Sequence, residues 1–99
     1  MKMKLVNRGN EAEVILEGRL DANSSPEAES ILLEQAKRFE VLVLNFESLE
    51  YISSAGLRVL KILDVTMKNK GGELVLTNVN RMIMEVFEMT GFAGRLKFR

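Results

Sequence analysis

Apolar and polar positions change rhythm several times along this chain. Residues 2–7 (Lys-Met-Lys-Leu-Val-Asn) alternate crudely and predict an extended segment, and Arg8-Gly9-Asn10 is a turn signal. Residues 12–17 carry Val14, Ile15 and Leu16 and run out at Gly18, so the first two runs read as a β-hairpin. Asp21 to Pro26 is a polar loop. A hydroxyl on Ser24 or Ser25 can accept a backbone N–H left free in a first helical turn, and Pro26 suits a position that needs no N–H. Ala28, Ile31, Leu32, Gln35, Ala36 and Phe39 then follow helical spacing, with Glu27 and Glu29 at the positive end of the dipole. They predict a helix over about residues 26–38.

Val41 to Phe46 is an apolar run interrupted only by Asn45, the pattern of a central strand covered on one or both faces. Glu47 to Tyr51 read as its exit loop, with Leu49 pointing inward. Ser53-Ser54-Ala55-Gly56 opens a second helix. Leu57, Leu60, Ile62, Leu63 and Met67 form its core stripe, and Arg58, Lys61, Asp64 and Lys68 its wet side. Lys70-Gly71-Gly72 ends it, because glycine takes the left-handed cap conformation without a side-chain clash. Leu74-Val75-Leu76 is a short buried strand. Asn78 or Asn80 caps a third helix with Met82, Ile83, Val86 and Phe87 on one face, Met89 among the same gap-filling residues and Met84 off that face. Gly91 terminates it, and Leu96-Lys97-Phe98 adds an edge strand. The order β-β-α-β-α-β-α-β implies right-handed parallel crossovers and an α/β fold: a single-layer mixed β-sheet with helices packed on it.

Ninety-nine residues fit one domain, residues 1–99. Fourteen basic and fourteen acidic residues cancel, whereas nucleic acid or a membrane surface demands a basic excess; neither is expected as a partner. Without Cys there is no disulfide or thiol chemistry, and without His the commonest general base and zinc ligand are gone. No apolar run approaches the ~20 residues of a membrane span, and residues 1–6 are too short and charged for a secretory signal. The cytoplasm is the expected compartment, and a monomer the expected state. A serine nucleophile would have only Lys or carboxylates as a base, and no phosphate-binding glycine loop or metal-ligand spacing is present, so no enzyme, cofactor or metal is expected.

The segment that can carry function is Tyr51-Ile52-Ser53-Ser54-Ala55-Gly56-Leu57. It lies where a central strand enters a helix, at the crevice where open α/β sheets place their sites. A phosphate added there meets free N–H groups and the positive helix end, so the fold survives while the surface gains about −1.5 to −2 charges. A serine before a helix is more commonly only a cap, but one cap needs one serine. Gly56 stands in the first turn, where glycine costs roughly 1 kcal/mol relative to alanine. It signals a close approach, by another element of the fold or by a partner.

In this order and spacing the chain resembles the STAS family, and within it the stand-alone bacterial anti-sigma factor antagonists. Gly18-Arg19-Leu20-Asp21 looks like the family's Gly-x-Leu-Asp, Val43-Leu44-Asn45-Phe46 with Leu49 and Tyr51-Ile52 like its central strand, and Ser54-Ala55-Gly56-Leu57 like its signature. Gly71-Gly72-Glu73-Leu74 and Phe87-Glu88-Met89-Thr90-Gly91-Phe92 are similar to its later turn and last helix end. The resemblance implies an antagonist that, unmodified, binds an anti-sigma factor with serine kinase activity and so releases the sigma factor. The kinase, using ATP, phosphorylates the serine that opens the second helix and expels the antagonist; a phosphatase resets it. The matching residue is Ser54, with Ser53 the second candidate; Ser53 stands where well-characterised members carry Asp. Asp21 matches a loop acid near the phosphosite, though an Asp there also serves simply to build a turn. Asp21, Ser53, Ser54 and Gly56 are thus the partner-binding candidates. The alternative is an accessory STAS subunit of a transporter or stress-signalling complex, with Ser54 only a cap.

Overall fold

The computed structural model describes residues 1–99. Its elements are β1 (Lys2–Arg8), β2 (Glu11–Leu20), α1 (Ser25–Arg38), β3 (Val41–Ile52), α2 (Ser54–Asn69), β4 (Glu73–Thr77), α3 (Arg81–Thr90), a 3-10 turn at Phe92–Gly94 and β5 (Lys97–Phe98). The expected order of strands and helices holds. The strands form one mixed sheet in the order β1-β2-β3-β4-β5. β1 and β2 pair antiparallel as the hairpin, and every later neighbour is parallel.

Because spatial order follows chain order, three right-handed crossovers put all three helices on one face of the sheet. The residues pointing to that face are the core: Ala12, Val14 and Leu16 of β2, Leu42, Leu44 and Phe46 of β3, Leu74 and Leu76 of β4. Leu32 and Ala36 of α1, Leu60, Leu63 and Met67 of α2, and Ile83 and Phe87 of α3 close over them. The other face has no helix. Val43 and Val75 are nonetheless buried there. Long charged side chains share that face, joined as Arg8–Glu13, Arg99–Glu11 and Lys97–Glu73, and their stems shelter apolar surface while their heads stay wet.

Three local expectations change, and one choice left open is decided. β3 does not end at Phe46: it runs on to Ile52, because β2 continues through Gly18 to Leu20 and supplies partners through two register shifts. The expected exit loop is therefore strand, with Leu49 buried as foreseen. On α3, Met82 and Met89 are exposed and Met84 is partly buried, the reverse of the expectation. The helix is seated by Phe87, whose ring lies 6.1 Å from both Phe46 and Phe98, and this rotation lifts Met82 and Met89 off the core. On α2, Asp64 is buried rather than wet and pairs with Lys68, while Ile62 is only half-buried. Asn80, not Asn78, caps α3: its Oδ1 accepts the Ile83 N–H at 2.8 Å.

Candidate functional site

Two helix N-termini meet at the carboxyl ends of β2 and β3. The chain leaves β2 at Leu20 and enters α1 at Ser25; it leaves β3 at Ile52 and enters α2 at Ser54. One hydrogen bond locks the two exits together, from the Ser53 N–H to the Leu20 carbonyl (2.9 Å). Gly56 explains how α2 can start so close. A Cβ on it would lie 2.7 Å from Ile52 Cγ1, 2.8 Å from the Leu20 carbonyl oxygen and 2.9 Å from Leu20 Cγ. The close approach that this glycine signals is thus within the fold, and Gly56 is buried.

Ser53 and Ser54 divide their labour. Ser53 is the N-cap, and its Oγ accepts the Gly56 N–H at 3.4 Å. Ser54 is the first helical residue; it is exposed and makes no side-chain hydrogen bond. Its hydroxyl stands at the positive end of a 16-residue helix, beside first-turn N–H groups that have no partner four residues back.

The loop before α1 is built around Asp21. Its Oδ1 accepts the N–H groups of Asn23 (3.0 Å) and Ser24 (3.1 Å), and Arg19 approaches its Oδ2 at 3.7 Å. The Ser24 N–H bond is the chief reason its pKa is lowered; the Asn23 N–H, the Ser24 hydroxyl and the Arg19 charge act in the same sense, against a desolvation effect. The carboxylate is therefore held ionised. Ser24 does not cap α1 as expected. Its Oγ instead accepts the Asp21 N–H (3.0 Å) and donates to the Arg19 carbonyl (2.7 Å). Ser25 does not cap it either: it is 5% exposed, and its Oγ has no hydrogen-bond partner. The Arg19 guanidinium lies over the Tyr51 ring at 4.2 Å, a cation–π contact that ties the ends of β2 and β3 on the helix-free side.

Two surface depressions flank these loops. One, of about 510 Å³, is lined by Gly18, Arg19, Asp21, Asn23, Glu27 and Glu50 among others. The other, of about 360 Å³, runs between the N-termini of α1 and α2, with Ser25, Pro26 and Glu29 on one wall and Ala55, Arg58 and Val59 on the other. No three His, Cys, Asp or Glu side chains gather as metal ligands, and no helix is long and apolar enough to cross a membrane. Sequence reasoning had singled out Asp21, Ser53, Ser54 and Gly56, and the fold gathers all four around the Leu20–Ser53 junction. It had missed the groove and its Arg58 wall. The position of Arg58 one helical turn beyond Ser54 was the signal available for it.

The family profile of the STAS domain matches residues 3–99. BtrV of Bordetella bronchiseptica, named as an anti-sigma factor antagonist, is 37% identical over 78 residues, 78% of this chain and 67% of that protein. The anti-sigma-B factor antagonist of Bacillus subtilis is 28% identical over 82 residues, 83% of this chain and 75% of that one. Among solved structures, the Bacillus antagonist SpoIIAA has the same fold. Its unphosphorylated form matches with a TM-score of 0.79 at 16% identity, over 99% of this chain and 87% of that one. Its phosphorylated form matches with 0.78 at 17% identity, over 99% and 91%. From β1 to β5, this chain belongs to the STAS domain family.

Proposed function

We propose that this protein is an anti-sigma factor antagonist: a non-enzymatic binding module whose unphosphorylated form holds an anti-sigma factor with serine kinase activity, and whose affinity is switched off by phosphorylation of Ser54. The carrying observation is the division of labour at α2. Ser53 makes the cap, so the exposed Ser54 hydroxyl is spent on nothing else. In the transfer, the bond from the β–γ bridging oxygen to the γ-phosphorus of ATP breaks and a bond from Ser54 Oγ to that phosphorus forms. ADP leaves, and the hydroxyl proton passes to a base of the kinase. The product puts a group of about −1.5 to −2 charges on the docking face, where it meets a desolvation cost and any facing acid. A loss of a few kcal/mol suffices, since each 1.4 kcal/mol is tenfold in affinity. A phosphatase restores the hydroxyl.

The names of BtrV and the Bacillus subtilis relative support this reading. The SpoIIAA antagonist, solved in unphosphorylated and phosphorylated forms, shares the fold on which the proposed switch would be built. Asp21 sits in the adjoining loop as a fixed charge for the same partner. The cytoplasm is the compartment such a partnership requires, and the monomer its working unit.

The test is to capture partners from the native cells on three immobilised proteins: wild type, Ser54→Ala and Ser54→Asp. The alanine variant should retain the anti-sigma factor, and the aspartate variant should lose it by tenfold or more. Retention by all three would mean an accessory subunit without a phosphate switch. Mass spectrometry of the protein from the same cells checks the position, and phosphate on Ser53 alone would refute the choice of Ser54.

A further inference from the structure

Ser54 and Arg58 stand four residues apart on α2, so their side chains share one face of the helix. Helical side chains lean toward the N-terminus, so the turn that Ser54 begins lies within reach of the Arg58 side chain. Both residues are exposed. Arg58 enters none of the chain's ion pairs, which join Arg8–Glu13, Arg19–Asp21, Lys68–Asp64, Arg81–Glu85, Lys97–Glu73 and Arg99–Glu11. It lines the α1–α2 groove, with Glu29 on the opposite wall and likewise unpaired. An uncommitted guanidinium therefore waits one turn from an uncommitted hydroxyl.

We propose that Arg58 is the intramolecular receiver of the phosphoryl group on Ser54. The inference rests on the reading of Ser54 as the phosphosite and adds what the modified state looks like. A dianionic phosphate outbids the single charge of Glu29, which forms no ion pair with Arg58, and matches the fork of guanidinium donors, as a point-charge ammonium would not. Closing this pair draws the phosphate along the first turn of α2 and takes Arg58 off the groove. Phosphorylation then changes the docking face twice. It adds an anion at Ser54, and it strips the groove of its cation, leaving Glu29 as the charge on its walls. A partner acid that faces Arg58 in the unmodified complex loses its counter-charge in the same event.

The experiment installs phosphoserine at position 54 during translation and follows its second ionisation by phosphorus NMR between pH 4.5 and 8 at low salt. Three backgrounds are compared: wild type, Arg58→Lys and Arg58→Gln. The wild-type phosphate should ionise about half a pH unit below that of the Arg58→Gln protein, with Arg58→Lys between them. The gap should shrink at 1 M salt, where charges on an exposed surface are screened. The Arg58 Nε–H resonance should shift on phosphorylation of the wild-type protein. Superimposable titration curves, or an unmoved Arg58 resonance, would overturn the proposal. Circular dichroism on the same samples verifies that each variant is folded, as an exposed side chain leads one to expect. No partner takes part in the measurement, so its failure is distinct from failure of the switch. The curves can coincide while Ser54→Asp still expels the anti-sigma factor, and they can separate in a protein that keeps its partner throughout.

Discussion

The same dipeptide, Ser-Ser, spans the start of both α1 and α2, and the two pairs end in opposite states. At α1, Ser24 is consumed by the Asp21 turn and Ser25 is buried with an unpartnered oxygen. At α2, Ser53 caps the helix and Ser54 lies open to solvent. The difference comes from how each helix leaves its strand. The chain takes four residues from Leu20 to Ser25, and the Asp21 turn fills that span and folds the serines inward. Between Ile52 and Ser54 there is one residue, pinned by its N–H to Leu20, so the next side chain has nowhere to go but outward. A hydroxyl at a helix start stays free only where the preceding turn leaves it without work.

The comparison breaks most severely at Gly56. A Cβ placed 2.8 Å from a backbone carbonyl cannot be accommodated by a rotamer change, so α2 must lift from β2 and β3. Gly56→Ala should destabilise the fold by about 2 kcal/mol despite alanine's better helix propensity. In a domain of this size that is a fall of roughly 10 °C in Tm, read by thermal denaturation. An unchanged Tm would mean that α2 does not start where the structure puts it.

Ser25→Ala should act in the opposite direction. Deleting a buried hydroxyl that has no partner removes a desolvation penalty, and the variant should gain about 1 kcal/mol in a urea titration. A loss of similar size would reveal a hydrogen bond that Ser25 makes in solution, and with it the contrast between the two serine pairs would weaken.

Much of this contrast was readable in the residues, but not its outcome. Helical spacing located α1 and α2, and the resemblance of Ser54-Ala55-Gly56-Leu57 to the family signature singled out Ser54. Which serine is buried could not be read, because it depends on whether Asp21 or the cap claims the local N–H groups, and both are ordinary uses of these residue types. The extension of β3 through Glu47, Ser48 and Glu50 was hidden for a different reason. Those residues are polar, and their strand conformation is supplied by the distant β2 residues Glu17, Gly18 and Arg19. On α3 the apolar period was visible, but the angle at which the helix sits is set by Phe87 against rings from β3 and β5. A helical wheel contains no such information.

The Asp21 turn offers a gentler way to sharpen the comparison. Its carboxyl pKa is lowered below the ordinary 3.8, first by the Ser24 N–H. A group with a depressed native pKa adds stability that is complete above the unfolded value and is lost as the pH falls through the native one. The α1 start should therefore weaken only below about pH 4, and the α2 start, which has no acid in its first turn, should not share that dependence. Asp21→Asn keeps the side-chain acceptor and removes the titration. Its stability between pH 5 and 2 should follow a flatter curve than that of the wild type, measured by urea denaturation at each pH. Parallel curves would show that the turn does not depend on the charge.

The smallest expected effect on stability is at Ser54, the residue on which the proposed switch depends. Ser54 is exposed and makes no side-chain hydrogen bond, so Ser54→Ala should shift Tm by no more than a degree or two. Ser54→Asp should do slightly better than neutral, because a negative charge in the first turn of a 16-residue helix is worth about 0.3–1 kcal/mol. The gain should fade in high salt. The same substitution at Ser25 would bury a carboxylate at the foot of α1 and should unfold the domain. If Ser54→Asp destabilised the protein as Ser25→Asp does, partner loss on phosphorylation would be unfolding under another name, and the division between a changing face and a constant scaffold would fail.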